Sequence, residues 1–330
     1  MSYLPSKKLV AVFVFVSLIV GGVFWFSDKK ERGLATESAT RFFNTSASPS
    51  LAAEDDSDAD GLKNWEETLR GTDPQNPDTD GDGVQDGKEV ASNRNPLLKG
   101  PNDERAEIFS VEAARAQEMQ DPLGAATAQF RQAYLSRGKP YDQFSEEERN
   151  ALTFAAITPA VQILPRPYAA SDMRTTDNSS AAQSQYLNQV GETLNQTFAQ
   201  VSESAVALFQ DYTASNDGSL LLRLTPEREA SEEAERLLQG VPAPPVFAQA
   251  HAELLNILHN TGSAISALQQ AERDRVTALV AAGWYLHEAE ASRALLQTLG
   301  DAIADNKLAL QPEEPGYLFV TYAKRAHTIE

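Results

Sequence analysis

The sequence predicts a mainly α-helical protein built from an N-terminal transmembrane helix, a small loop module stabilised by bound cations, and a C-terminal antiparallel helical bundle. Three observations predict it. Residues 9–26, LVAVFVFVSLIVGGVFWF, carry no charge. Residues 56–67 and 78–89 each set acidic or amide side chains at fixed, alternating positions around a glycine. From Glu104 onward Ala, Gln, Glu and Leu dominate, and apolar residues step by three or four, the period of one helix face. The segments that follow are a cytoplasmic tail (1–8), the span (9–26), a linker (27–54), the loop module (55–104) and the helical domain (105–330).

As a helix, residues 9–26 reach roughly 27 Å, enough for a bilayer core. Trp25 and Phe26 stand where interfacial aromatics stand. A cleaved signal peptide is the rival reading, with Lys7 and Lys8 as its basic region. However, Phe24-Trp25-Phe26 occupies the place where a small-x-small cleavage site belongs. Basic residues are nearly balanced across the span, Lys7 and Lys8 against Lys29, Lys30 and Arg32. A short tail ahead of a single N-terminal span ordinarily stays in the cytoplasm, which places residues 27–330 outside it. Residues 27–54, rich in Ser, Ala and Thr, read as a flexible tether reaching roughly 30 Å as a random coil.

The formal net charge of −19 argues against a nucleic-acid partner, since a phosphate binder needs a basic face. With no cysteine, disulfides, thiolate catalysis and zinc–thiolate sites are excluded. The acidity is concentrated. Residues 54–104 hold 15 Asp and Glu against five Lys and Arg, a net −10 in about fifty residues. Carboxylates packed that densely repel one another unless a cation lies among them.

The two loops carry the ligand pattern of a calcium site. Ca2+ is a hard cation that takes six to eight oxygens. In the first loop Asp56, Asp58 and Asp60 fill positions 1, 3 and 5, and Gly61 allows the sharp turn. Leu62 offers a backbone carbonyl at position 7, Asn64 fills position 9, and Glu67 closes the shell at position 12. In the second loop Asp78, Asp80 and Asp82 are followed by Gly83, Val84, Asp86 and Glu89 in the same places. Residues 45–55 are unsuited to an entering helix, and only about one helical turn, Trp65 to Arg70, fits before Gly71. The pair is therefore not a standard EF-hand pair. Leu62, Val84 and Trp65 form a candidate apolar staple for the module.

The connector Gly71-Thr72-Asp73-Pro74-Gln75-Asn76-Pro77, running into Asp78-Thr79-Asp80-Gly81-Asp82-Gly83, resembles the thrombospondin type 3 repeat over roughly residues 55–100. That resemblance implies a compact module with little hydrophobic core, wrapped around calcium. It also implies that connector residues join the coordination, which makes Asp73 and Asn76 further candidate ligands. The order of anchor, tether, calcium repeats and Ala-rich bundle resembles bacterial surface proteins and implies a surface, pilus or secretion assembly.

In the helical domain Asn102 or Asp103 is placed to cap a helix over 104–119. Asp121-Pro122 starts another that Gly138 and Pro140 end, and Ser145 with Glu148 forms a capping box. Pro159, Pro165 and Pro167 force an extended stretch, and residues 169–180 read as a polar, mobile loop. One long helix is expected over 181–214, from the stripe Leu187, Val190, Leu194, Phe198, Val201, Ala205 and Leu208. Helices over about 225–239, 245–271 and 274–305 follow. Tyr317-Leu318-Phe319-Val320 reads as a short strand or packed extension. Long segments with short links favour an antiparallel bundle.

No nucleophile elbow, phosphate-binding glycine loop or HExxH is present. His251 and His259 are about two turns apart, too far for one metal, and with His287 and His327 they read as structural or surface residues. The expected function is that of a single-pass, extracytoplasmic calcium-binding structural protein. Its calcium orders the junction between the anchor and a helical domain that binds a protein partner. A cell-wall-active hydrolase and a calcium-dependent sensor are the alternatives.

Overall fold

A computed structural model describes residues 56–103, 122–145, 148, 151–152 and 164–327. The expected transmembrane helix at 9–26, the linker, the helix at 104–119 and most of the segment leading to Ile157 lie outside the described residues. Among the described residues no helix is long and apolar enough to cross a membrane. The described secondary structure is helical, and Thr175 and Ala243 form an isolated parallel bridge.

Two short helices belong to the acidic module, α1 (Asn64–Arg70) and α2 (Asp86–Ala91). Among the described residues seven longer helices follow, α3 (Pro122–Leu135), α4 (Ser180–Thr197), α5 (Ala205–Ser215), α6 (Thr225–Leu238), α7 (Ala248–Leu268), α8 (Arg275–Asp305) and α9 (Tyr317–His327), with one further helical turn at Ser219–Leu222. Local chemistry sets their ends. Gly71, at φ 84°, closes α1 in the left-handed conformation that glycine adopts without a Cβ clash. Ser179 and Asp274 accept from Ala182 N and Thr277 N, capping α4 and α8. The Ser145–Glu148 box forms in both directions, at 2.8 and 3.2 Å.

The long helices α7 and α8 pack along each other across a short link, and α6, α9 and α3 pack against them. The core divides into two clusters along this pair. One cluster joins the end of α7 (Ala264, Ile265, Leu268) and the first half of α8 (Val276 to Tyr285) to α5, α3 and α1. The other joins the first half of α7 and the later half of α8 to α4, α6 and α9.

Three expectations are corrected. The helix expected over 181–214 is two helices, with a 3-10 turn at Phe198–Gln200 and an extended Val201 between them. Its apolar stripe is continuous in sequence but serves both cores: Leu187 to Val201 pack in one cluster, Ala205 and Leu208 in the other. At the break, Glu227 accepts from Ala205 N at 2.8 Å, satisfying a donor at the start of α5. Residues 317–320 are not a strand but the first turn of α9. Phe319, Val320 and Ala323 are buried there in the second cluster, one helical face against α8 and α4. The polar stretch 169–180 is tied down rather than loose. Ala243 N donates to Arg174 O at 2.8 Å, Thr176 N donates to Ala243 O at 3.3 Å, and Met173 packs against the second cluster.

The proline-rich strap ahead of it lies on α7. Asn256 exchanges two hydrogen bonds with the backbone of Tyr168, and Asn260 donates to Pro165 O. Glu288 of α8, fully buried, accepts from Asn260 Nδ2 at 2.9 Å and pairs with Arg166 at 3.2 Å. His251 has partners on both ring nitrogens, Tyr186 Oη and Leu238 O, each at 3.1 Å. His259 pairs with Glu235 at 3.0 Å.

Candidate metal centre

Both acidic loops fold by the same internal bonds. In the first, Asp56 accepts from Asp60 N and Gly61 N, Asp58 accepts from Asp60 N, and Asp60 Oδ1 accepts from Leu62 N at 2.7 Å. In the second, Asp78 accepts from Gly81 N, Asp82 N and Gly83 N; Asp80 accepts from Asp82 N, and Asp82 Oδ1 from Val84 N at 2.9 Å. Each loop bends through two left-handed residues, Ala59 and Gly61 in one, Gly81 and Gly83 in the other. Three aspartates per loop are thereby turned inward. Asp56, Asp58 and Asp60 bring carboxylate oxygens within 4.8 Å of one another, as do Asp78, Asp80 and Asp82.

The glutamates at position 12 complete the picture. Glu67 lies on α1 and Glu89 on α2, and both are 0 % exposed. Neither oxygen of either carboxylate has a hydrogen-bond partner. A buried carboxylate without hydrogen bonds is costly, and proteins ordinarily pair it or place it on a metal; Glu89 has the Arg94 guanidinium 3.9 Å away. Burial first, and neighbouring aspartates second, push Glu67 and Glu89 up to about 8. Burial likewise raises Asp58, Asp80 and Asp86. A divalent cation reverses that balance by favouring the ionised form. The donor set is all hard oxygen, which fits calcium rather than a soft metal.

At position 9 Asn64 braces the start of its own loop: it accepts from Ser57 N at 3.0 Å and donates to Ser57 Oγ at 2.8 Å. Asp86 clamps Thr79 the same way, accepting from its N at 2.9 Å and its Oγ1 at 2.6 Å. Asp86 also stands beside the other loop, grouped with Asp60 and Glu67. Asp73 accepts from Gln75 N and Asn76 from Asp78 N, so both shape the connector; Asp73 is in none of the acidic groups. Leu62 is buried and Val84 half-buried.

The two loops are locked together. Asp60 Oδ2 accepts from Gly87 N at 2.8 Å, at the start of α2. A Cβ on Gly87 would lie 2.3 Å from Asp60 O, so this approach requires glycine. The module is also docked on the helical domain, which the sequence did not disclose. Trp65 packs at 5.4 Å from Tyr134 and 5.3 Å from Tyr141, ring centre to ring centre. The expected staple residue thus packs across to the bundle. Glu66, unremarked in the sequence, is fully buried. Its Oε1 accepts from Tyr134 Oη and from Tyr141 N, the latter at 2.8 Å, and its Oε2 from Lys63 N at 3.1 Å. Arg70 donates to Tyr134 Oη at 2.9 Å with its guanidinium 5.0 Å from the ring centre. The only local signal for this seam was the doubled glutamate at 66–67.

The bacterial TSP3 repeat family matches residues 56–77 and 78–99. Residues 56–99 are therefore two bacterial TSP3 repeats, a class of calcium-binding structural module. No curated protein and no solved structure matches the chain.

Proposed function

We propose that this chain is a membrane-anchored, extracytoplasmic calcium-binding structural protein whose repeats clasp the junction between its anchor and a protein-binding helical domain. The observation that carries the calcium reading is the pair Glu67 and Glu89, whose four oxygens are buried without hydrogen-bond partners at the closing position of each loop. Asp56, Asp58, Asp60 and Glu67, with the carbonyl of Leu62, would hold one ion. Asp78, Asp80, Asp82 and Glu89, with the carbonyl of Val84, would hold the other. Bound calcium supplies the positive charge that lets these carboxylates stay ionised at close quarters. The seam of Trp65, Glu66 and Arg70 against Tyr134 and Tyr141 supports a clasp on the bundle rather than a free-swinging rod.

The anchor rests on the uncharged run 9–26, and the extracytoplasmic location on the calcium loops, since weak sites of this kind suit an exterior where Ca2+ is plentiful. A place in a surface, pilus or secretion assembly rests on the order of the segments. Calorimetric titration of the full chain, stripped with chelator and solubilised in detergent, tests the calcium reading. Two equivalents of calcium should bind with heat; a silent titration with unchanged circular dichroism would overturn it. Alkaline carbonate extraction of host membranes tests the anchor, since a protein released by it has no spanning helix.

A further inference from the structure

The second loop is met by an acid from outside both repeats. Asp103 lies 14 residues beyond Glu89 and past the end of the repeat match at residue 99. It is 2 % exposed, and its carboxylate groups with Asp82 and Glu89 with all three oxygens within 4.8 Å. Glu89 is fully buried in that group, and neither of its oxygens has a hydrogen-bond partner. The first loop shows the same arrangement: its Asp60 and Glu67 are met by Asp86 from the following repeat. The backbone repeats the parallel, because Asp60 Oδ2 accepts from Gly87 N and Asp82 Oδ2 from Gly100 N, at 2.8 and 2.7 Å. No third repeat follows the second loop.

We propose that Asp103 is a calcium ligand of the second site, closing the last loop with a carboxylate supplied by the segment that leads into the helical domain. This rests on the calcium reading of the loops. Arg94 provides the contrast that tests it. Its Nε pairs with Asp103 Oδ2, and its Nη2 lies 3.9 Å from both Asp82 Oδ2 and Glu89 Oε1. The guanidinium thus faces the same three carboxylates as the ion would. If Asp103 is a ligand, Arg94 is a competing positive charge. If Asp103 is only a buttress, Arg94 is the post it braces against, and removing either weakens the loop.

The experiment is calorimetric calcium titration of the full chain in a Glu67→Gln background, which leaves the second loop alone, with Asp103→Asn and Arg94→Gln added separately. Asp103→Asn should weaken calcium binding roughly ten- to a hundredfold, because affinity in such loops follows the charge count of the ligands. Arg94→Gln should leave affinity unchanged or raise it. Unchanged affinity in Asp103→Asn overturns the proposal and leaves the calcium reading standing. Equal weakening in both variants overturns it in favour of a buttress. No calcium uptake by either the background or the unmodified chain overturns both readings. Circular dichroism of each variant with calcium guards against misfolding; if Asp103→Asn fails to fold, a rise in affinity in Arg94→Gln supports the proposal and a fall overturns it.

Discussion

Glu66 and Glu67 are neighbours on a seven-residue helix and serve opposite partners. Glu67 stands with Asp60 and Asp86 at the centre of the acidic module, while Glu66 accepts from Tyr134 and Tyr141 of the helical domain. Successive residues on a helix point about 100° apart, so one short element presents one carboxylate to each side. Whatever orders α1 orders the seam as well.

Breaking the seam alone should leave the ion sites intact. Tyr134→Phe removes a donor to Glu66 and an acceptor for Arg70, leaving buried polar atoms short of partners at a cost of about 1–3 kcal/mol. In urea unfolding with saturating calcium the variant should lose about that much, while calorimetry returns an unchanged stoichiometry. Loss of a calcium equivalent would show that the seam builds the site.

Breaking the ion sites one at a time should do the reverse. Glu67→Gln and Glu89→Gln each remove the charge of the closing ligand while keeping shape. Each variant should lose one calcium equivalent at micromolar to millimolar calcium, and helical circular dichroism from α3 to α9 should persist. Two equivalents retained in both variants would contradict the ligand assignment.

Gly87→Ala tests the lock between the loops. In a helix that change ordinarily stabilises, by roughly 0.5–1 kcal/mol. Here the added Cβ would meet the backbone oxygen of Asp60 at 2.3 Å. The variant should bind calcium at least severalfold more weakly and melt at a lower temperature with calcium present. A higher melting temperature would mean the loops do not touch there.

The buried acids of the bundle predict a pH dependence of stability. Burial pushes Glu227 up to about 7, against the hydrogen bonds from Tyr285 and Ala205 that lower it. Glu288 is also pushed up to about 7 by burial, with Arg166 pulling the other way. Unfolded, both titrate near 4.5, so between pH 4.5 and 7 the folded state binds more protons than the unfolded one. Their contribution is therefore greatest at the acid end of that window and falls as pH rises through it, by up to about 3 kcal/mol for each group. Denaturant unfolding in chelator between pH 5 and 8 should show this slope, and Glu227→Gln should make it shallower. An unchanged slope in the variant would exclude Glu227 as a source.

The two acidic loops were legible in the sequence because the residues that build them are local. Positions 1, 3, 5 and 12 are fixed by chain geometry within a dozen residues, and Asp56 to Glu67 fold as that spacing requires. The grouping of Asp86 with Asp60 and Glu67, and of Asp103 with Asp82 and Glu89, was not legible, because it depends on contacts between segments that are apart in sequence. The break between α4 and α5 was hidden by a stripe whose period does not change where the chain passes from one core to the other. Tyr317 to Val320 carry strand-favouring side chains, yet the face of α8 they meet offers no strand edge, and burial of Phe319, Val320 and Ala323 decides for a helix. The role of Glu66 was not legible, because its partners are 68 and 75 residues away.

The central claim is that bound calcium holds α1 and, through it, the docked face of the helical domain. Amide hydrogen exchange of the full chain, with calcium and with chelator, tests it most directly. Chelation should remove protection together from Glu67, Glu89 and their helices and from Tyr141 N, whose acceptor is Glu66, while amides in the middle of α7 and α8 keep theirs. Protection of α1 and Tyr141 that is the same in calcium and in chelator would contradict the account.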